Sequence, residues 1–313
     1  MSKTLSTIEL LAHLWHKDVV VVTAGDSWEA CGAQTDFGPV TNTVRVQVAP
    51  NPELRDIREA SALIPACDYV LGVGGGSVMD TAKVLAGMHD KPLGLVPTTA
   101  GSGAEATPFA TVYDEGTKLS MPCSTADHIV LEPRYLRSLD DYTAACAGVD
   151  ALCQGIESEW SSLSTTLSRV YSIAAIDLCL KHLVPAVTDP TDYHRQGMLT
   201  AAHYSGLAIA TAKTTVAHAL SYSLTANYDI PHGHAVAMVM SRLLKIDNLA
   251  GPVTSEMFDS LMDEIGLDLE LPEGAQALAK DVDQDRLANY PKPLSAGQLC
   301  WLLGGDVHEV PQA

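Results

Sequence analysis

Over the first 130 or so residues, short apolar runs alternate with amphipathic stretches. Asp18–Thr23 (DVVVVT) is apolar almost without interruption, the pattern of a strand covered on both faces. Ala24-Gly25-Asp26-Ser27 follows it and reads as a turn leading into a helix. Thr43–Val48 (TVRVQV) alternates at period two, as a half-buried strand does. Asn51-Pro52 opens a helical stretch that runs to Ile64, where Pro65 stops it. Asp68–Val73 and Pro92–Pro97 are further apolar strands, with a helix predicted at Val78–Met88. Strands separated by helices predict parallel βαβ units.

Past Pro133 the period changes. Leu139–Val184 and Thr191–Ala226 carry helical apolar spacing with little strand signal, and Ala235–Leu249 continues it. From Gly251 the tail has shorter helical pieces set between Pro272, Pro291 and Pro293. The expected organisation is an α/β domain over residues 1–133 and an all-helical domain over 134–313.

Composition narrows the partners. The 313 residues hold 19 basic and 38 acidic side chains, a formal charge of −19. Such a balance argues against nucleic acid, whose phosphates need basic surface, and against docking on anionic membranes. A small anionic substrate stays open, because screening lets the local pocket outweigh the total charge. No apolar run reaches the roughly 18 residues of a membrane span, and the first residues lack a signal-peptide core. Seven scattered cysteines without a C-x-x-C pair read as reduced thiols, and hence as a cytoplasmic protein.

Two turns carry candidate phosphate chemistry. Gly72–Ser77 (GVGGGS) follows a strand and precedes a helix. Glycines allow close backbone approach, and the helix N-terminus offers N–H groups and the positive end of a dipole. Pro97–Glu105 (PTTAGSGAE) again follows a strand and is rich in hydroxyls and small side chains. Two such turns at neighbouring strand ends converge on the carboxyl edge of a parallel sheet, where nucleotides bind. Neither is G-x-G-x-x-G after the first strand, so the ordinary Rossmann pattern is absent. Asp80 is either a dipole partner at the start of the helix or a ligand contact.

A metal constellation is the third signal. Asp150 and Gln154 lie four apart in a helical pattern and share a face. His218 and His232 lie fourteen apart. One carboxylate, one amide oxygen and two imidazoles form a mixed N/O set suited to Fe²⁺, Zn²⁺ or Mn²⁺. His234 is expected on the following helix, turned away from His232. Glu157, one turn past Gln154, either supports the ligands from behind or lies at the surface.

Gly72–Lys83 (GVGGGSVMDTAK), Pro97–Thr107 (PTTAGSGAEAT), Asp150–Glu157 (DALCQGIE), Ala217–Tyr222 (AHALSY) and Pro231–Met238 (PHGHAVAM), in this order, resemble the iron-containing (group III) alcohol dehydrogenase family. The resemblance runs from about Val19 to about Leu244. It implies a Rossmann-like dinucleotide-binding domain followed by a helical metal-binding domain, the dehydroquinate synthase-like architecture. Cofactor and divalent metal would meet in the cleft between the two domains. Carried over, the metal ligands are Asp150, Gln154, His218 and His232. The cofactor contacts are Gly74, Gly75, Gly76, Ser77, Asp80, Thr98, Thr99, Ser102, Thr107 and Lys118. The family usually has His at position 154, and often a further His where this chain has Tyr222. The Gln, with the pattern around Lys213-Thr214-Thr215 and His218, looks like the branch of phosphonoacetaldehyde reductases. The chain is shorter than is usual for the family, so some outer helices are expected to be missing. A homodimer is among the expectations.

The implied reaction is NADPH- or NADH-dependent reduction of a small aldehyde, its oxygen polarised by the metal. Within the branch the substrate is phosphonoacetaldehyde and the product 2-hydroxyethylphosphonate. The alternatives are an alcohol dehydrogenase of the same family acting on another small aldehyde, anionic or neutral, and a dehydroquinate synthase-like lyase or cyclase, though the last needs several basic residues and few lie near these motifs. Thr214 and Thr215 are expected on the helix face of His218, with Lys213 at its adjacent edge, where a cation and two hydroxyls would bind a tetrahedral anion. The bland alternative is that the lysine lies along a helix end and the threonines bond the preceding turn. Tyr222 is either a packing residue or a proton route to the product oxygen. Ala24 stands where an NAD-selective site places a carboxylate on the ribose, so NADPH is expected to be tolerated, unless Asp26 takes that part.

Overall fold

The computed structural model describes residues 2–25, 27–40, 45–49, 51–115, 117–246 and 251–306. Asp26, the first two residues of the expected strand at 43–48 and the last three of the expected helix at 235–249 lie outside the described residues. The chain divides into two compact units, Met1–Leu139 and Asp140–Ala313. The expected division fell six residues earlier. Tyr135 explains the difference: it is buried and its hydroxyl donates to Asp36, which ties the 3-10 turn Pro133–Leu136 to the first unit.

In chain order the first unit holds β1 (Lys3–Thr4), α1 (Thr7–Leu14), β2 (Val19–Thr23), α2 (Ser27–Ala30), α3 (Ala33–Phe37) and β3 (Arg45–Gln47). Next come α4 (Leu54–Leu63), β4 (Tyr69–Gly74), α5 (Gly76–His89), β5 (Leu93–Pro97), β6 (Phe109–Asp114), β7 (Thr117–Pro122) and β8 (His128–Ile129). Six strands form one parallel sheet in the order β1-β8-β5-β4-β2-β3. Helices cover both faces, which is why the central strands are apolar at every position. Val20, Val22 and Val70 pack into one core, while Val19, Val21, Tyr69, Leu71 and Val73 pack into the other. The antiparallel hairpin β6–β7 carries no sequence expectation: its strands are partly exposed, and polar residues interrupt their apolar positions.

The second unit is helical: α6 (Asp141–Trp160), α7 (Thr166–Thr188), α8 (Asp192–Ala212), α9 (Val216–Tyr228), α10 (His232–Ile246), α11 (Ser255–Glu264), α12 (Gln284–Leu287) and α13 (Ala296–Leu302). The long helical stretches resolve into pairs. Thr165 caps α7 with a capping box, and Lys213 at φ +62° ends α8. Small residues let the helices approach closely. A Cβ at Gly148 would lie 2.3 Å from Leu183 of α7, and one at Gly197 2.4 Å from His182. Contrary to the expectation from apolar runs, α7 is long and apolar enough to cross a membrane by length and composition. Its buried residues, among them Ile176 and Leu183, pack against glycines of α6.

Candidate metal and nucleotide sites

Asp150, Gln154 and Glu157 stand at i, i+4 and i+7 of α6 and are all buried. α9 brings His218 and the first residue of α10 is His232. The ligand atoms of Asp150, His218 and His232 all lie within 4.8 Å of one another. His218 Nε2 is 3.2 Å from Asp150 Oδ1, and His232 Nε2 is 3.9 Å from the same oxygen.

Glu157 fixes the imidazole of His218. Its Oε2 bonds His218 Nδ1, while Oε1 accepts from the Thr215 hydroxyl and from the Ala217 amide, each at 2.7 Å. A carboxylate on Nδ1 holds the ring so that Nε2 faces Asp150, the arrangement that serves a metal-ligating histidine. The surface alternative for Glu157 is thus wrong: it is fully buried, because α9 starts directly over this turn of α6.

The charges support one another. Burial alone would raise the carboxyls, yet the neighbouring His218, with further contacts to each, holds Asp150 and Glu157 below the usual range. Burial disfavours a charged His218, but Glu157 and Asp150 outweigh it and hold its pKa above that of ordinary imidazole.

Gln154 reaches Asp150, and its Oε1 accepts from the Ser205 hydroxyl at 2.9 Å. A carbonyl oxygen has a second lone pair, so this bond orients the amide without excluding it as a ligand. His234 lies on α10 and serves the fold: the Tyr142 hydroxyl meets Nδ1 at 2.9 Å, and Nε2 meets the Asp268 carbonyl.

One expectation about this site is overturned. Lys213, Thr214 and Thr215 are not on the helix of His218 but form the break between α8 and α9. Lys213 takes a positive φ that a helix cannot continue. Both threonine hydroxyls bond within the protein: Thr215 to Glu157, and Thr214 to Arg286 Nη1. Lys213 is partly buried, which lowers its pKa, and the charge of Arg286 lowers it further.

Tyr222 stacks on His232 with ring centres 5.6 Å apart and 21° between planes. Packing pushes its hydroxyl above the ordinary phenol range.

In the first unit, the two phosphate-type turns are in contact. The Thr98 amide donates to the Gly74 carbonyl at 3.0 Å. A Cβ on Gly75 would lie 3.3 Å from Thr99 Oγ1, and one on Gly76 3.0 Å from Ser102 Oγ. Gly75 is the N-cap of α5 and supplies no side-chain cap, so the first N–H groups of a fourteen-residue helix face this turn. Gly75, Gly76, Ser77, Thr99 and Ser102 are partly open, as a dinucleotide site requires.

Asp80 and Thr107 are buried and bond within the protein. Lys83 Nζ reaches Asp80 Oδ1 at 3.0 Å, Thr107 Oγ1 at 2.9 Å and the Phe109 carbonyl at 2.8 Å, and Asp80 Oδ2 accepts from the Thr111 amide. This network ties α5 to β6, and it depends on Lys83, which carries no sequence expectation. Lys118 sits on β7 opposite Tyr113. At the end of β2, Arg45 donates to the Gly25 carbonyl at 2.7 Å and pairs with Glu29.

Sequence models of iron-containing alcohol dehydrogenases match residues 3–133, and those of the C-terminal part of the same family match 144–288. A phosphonoacetaldehyde reductase from Streptomyces viridochromogenes is 37% identical over 211 residues, covering 58% of this chain and 53% of that protein. A choline dehydrogenase from Bacillus subtilis is 28% identical over 250 residues, covering 71% of this chain and 61% of that one. The chain thus spans little more than half the length of these curated relatives. An iron-containing alcohol dehydrogenase from Thermotoga maritima superimposes with a TM-score of 0.83 at 25% identity, over 97% of this chain and 98% of that one. A sulfoacetaldehyde reductase from Bifidobacterium kashiwanohense, solved with NAD⁺, shares the fold with a TM-score of 0.87 at 24% identity, over 98% and 97% of the two chains.

Proposed function

The chain belongs to the iron-containing alcohol dehydrogenase family, and from that premise we propose that it is a metal- and nicotinamide-dependent reductase of small aldehydes, acting on phosphonoacetaldehyde to give 2-hydroxyethylphosphonate. One observation carries the reading: Asp150, His218 and His232 converge, with Glu157 holding the back of His218. The substrate is supported by the identity to a phosphonoacetaldehyde reductase and by the cations beside the break after α8.

The donor set fits a divalent metal of the iron or zinc kind. Asp150, His218 and His232 would hold it, with Gln154 as a neutral fourth ligand. When bound, the metal supplies Lewis acidity toward the carbonyl oxygen, worth several kcal/mol, and the reduced nicotinamide supplies the hydride.

The chain's own residues do the rest. Glu157 keeps a proton on His218 Nδ1 and leaves Nε2 as the donor atom. Ser205 holds the Gln154 amide by its oxygen. The open N–H groups at the start of α5, with Thr99 and Ser102, bind the cofactor's pyrophosphate. Asp80, Thr107 and Lys83 fix α5 beneath it. NADPH is accepted because Ala24 follows β2 in place of a carboxylate, while Arg45 sets a guanidinium at the neighbouring Gly25 carbonyl. Lys213 binds the anionic end of the substrate, and Thr214 positions the break that carries it. Tyr222 packs against His232, and burial holds its hydroxyl above the usual range. The product oxygen takes its proton from water.

The test is loss and recovery of turnover. Chelated protein is expected to stop oxidising NADPH in the presence of phosphonoacetaldehyde and to recover with Fe²⁺ or Zn²⁺. His218→Ala is expected to abolish both metal retention and recovery. Turnover that survives complete chelation contradicts the reading.

A further inference from the structure

Arg286 stands on α12 and carries no pattern in the sequence that marks it. Asp283 caps this helix: one carboxylate oxygen accepts from the Arg286 amide at 3.1 Å, and the other lies 3.5 Å from Arg286 Nε. Asn289, just past the helix, donates to the Thr214 carbonyl at 3.1 Å, and Arg286 Nη1 donates to the Thr214 hydroxyl. α12 is therefore moored to the break between α8 and α9, beside Lys213.

From there the side chain leads to the metal triad in two stacked steps. The guanidinium carbon lies 5.3 Å from the centre of the Tyr222 ring, and that ring stacks on His232 at 5.6 Å. His232 is the open member of the triad, its side chain 35% exposed against 4% for His218.

Lys213 directly precedes Thr214, so the break carries a second partly buried cation next to the one that Arg286 brings. Cations gathered at one partly buried place offer charge-assisted hydrogen bonds to an anion. A guanidinium has five N–H donors in a fixed plane, and the Thr214 and Asp283 contacts engage two of them. That plane matches two oxygens of a tetrahedral oxyanion, which a lysine alone does not.

Resting on the aldehyde-reductase reading above, we propose that Arg286 determines substrate specificity: with Lys213 it binds the phosphonate group of a short aldehyde whose carbonyl end lies at Asp150, His218 and His232. The tyrosine ring beneath the guanidinium keeps the fork facing that group through a cation–π contact.

Metal-reconstituted wild type, Arg286→Gln and Arg286→Lys are compared in kcat and KM with phosphonoacetaldehyde and with propanal. Calorimetry gives the Kd of 2-hydroxyethylphosphonate for each. Arg286→Gln is expected to lower the selectivity for phosphonoacetaldehyde over propanal about a hundredfold or more, chiefly through KM, and to weaken the product in step. Arg286→Lys, which keeps the charge and loses the fork, is expected to weaken the product about tenfold, and it decides the matter if Arg286→Gln does not fold. Equal losses on both aldehydes with product affinity retained would make Arg286 a mooring residue and overturn the proposal, while leaving the reductase reading intact. Wild type that reduces propanal but neither turns over nor binds the phosphonates overturns the proposal in the same way. Wild type that reduces neither aldehyde overturns the reductase reading instead, and the calorimetric comparison then still decides whether Arg286 binds phosphonate.

Discussion

Glu157 is the residue on which the metal site depends most and which spacing alone could not place. Seven residues from Asp150 on α6, it shares a face with the ligands, and only the start of α9 above it turns that position into a buried acceptor of three bonds. Glu157→Gln keeps the shape but leaves His218 without its carboxylate, and it is expected to lower metal affinity about ten- to a hundredfold in a competition titration. The same pairing fixes the pH dependence. A ligand imidazole must be neutral, and its carboxylate neighbours hold His218 above the ordinary pKa. Protons therefore begin to displace the metal at a higher pH than an isolated histidine would allow, and affinity falls about tenfold per unit below that point. Glu157→Gln removes the largest favourable partner of the charged ring, so the midpoint of that fall is expected to move to lower pH. An unmoved midpoint would mean that His218 is not the titrating ligand.

At the scale of elements, what a short apolar run can show was readable and what depends on a distant contact was not. β2, β4 and β5 stand where continuous valine and leucine runs predict them, because both faces of the sheet are covered. The break at Lys213–Thr215 was hidden, since its residues keep helical spacing and distant residues, among them Arg286, Asn289 and Glu157, anchor it. Gly233 shows the same limit. Nothing in its position between His232 and His234 marks it, yet a Cβ there would lie 1.9 Å from the Cys146 carbonyl of α6. It allows α10 to approach α6 closely enough for His232 to reach Asp150. Gly233→Ala is expected to lose bound metal on purification, seen by elemental analysis, while NADPH binding to the first unit persists. At the other site, Gly76→Val would press on Ser102 and is expected to weaken NADPH in a fluorescence titration while metal content stays unchanged. If both variants lost both ligands, neither glycine would be acting locally.

For the whole molecule, the two groups of candidates separate along the chain: the phosphate-type turns fall before Leu139 and all four metal-ligand candidates after it. A formal charge of −19 makes the cations at Lys213, Arg286 and Arg45 local exceptions in an acidic protein, and each lies beside a site where an anion is expected. Arg45→Gln is accordingly expected to shift the KM ratio of NADPH to NADH toward NADH, and an unchanged ratio would place the 2′-phosphate elsewhere. The central claim is that one chain joins a metal at Asp150, His218 and His232 to nicotinamide-dependent reduction of an anionic aldehyde. The most direct measurement is NADPH oxidation with phosphonoacetaldehyde, made on the same preparation as purified, after chelation and after return of Fe²⁺ or Zn²⁺. The expected result is activity that disappears with the metal, returns with it and yields 2-hydroxyethylphosphonate. Metal-loaded protein that leaves NADPH unoxidised, or chelated protein that oxidises it just as fast, would contradict that claim.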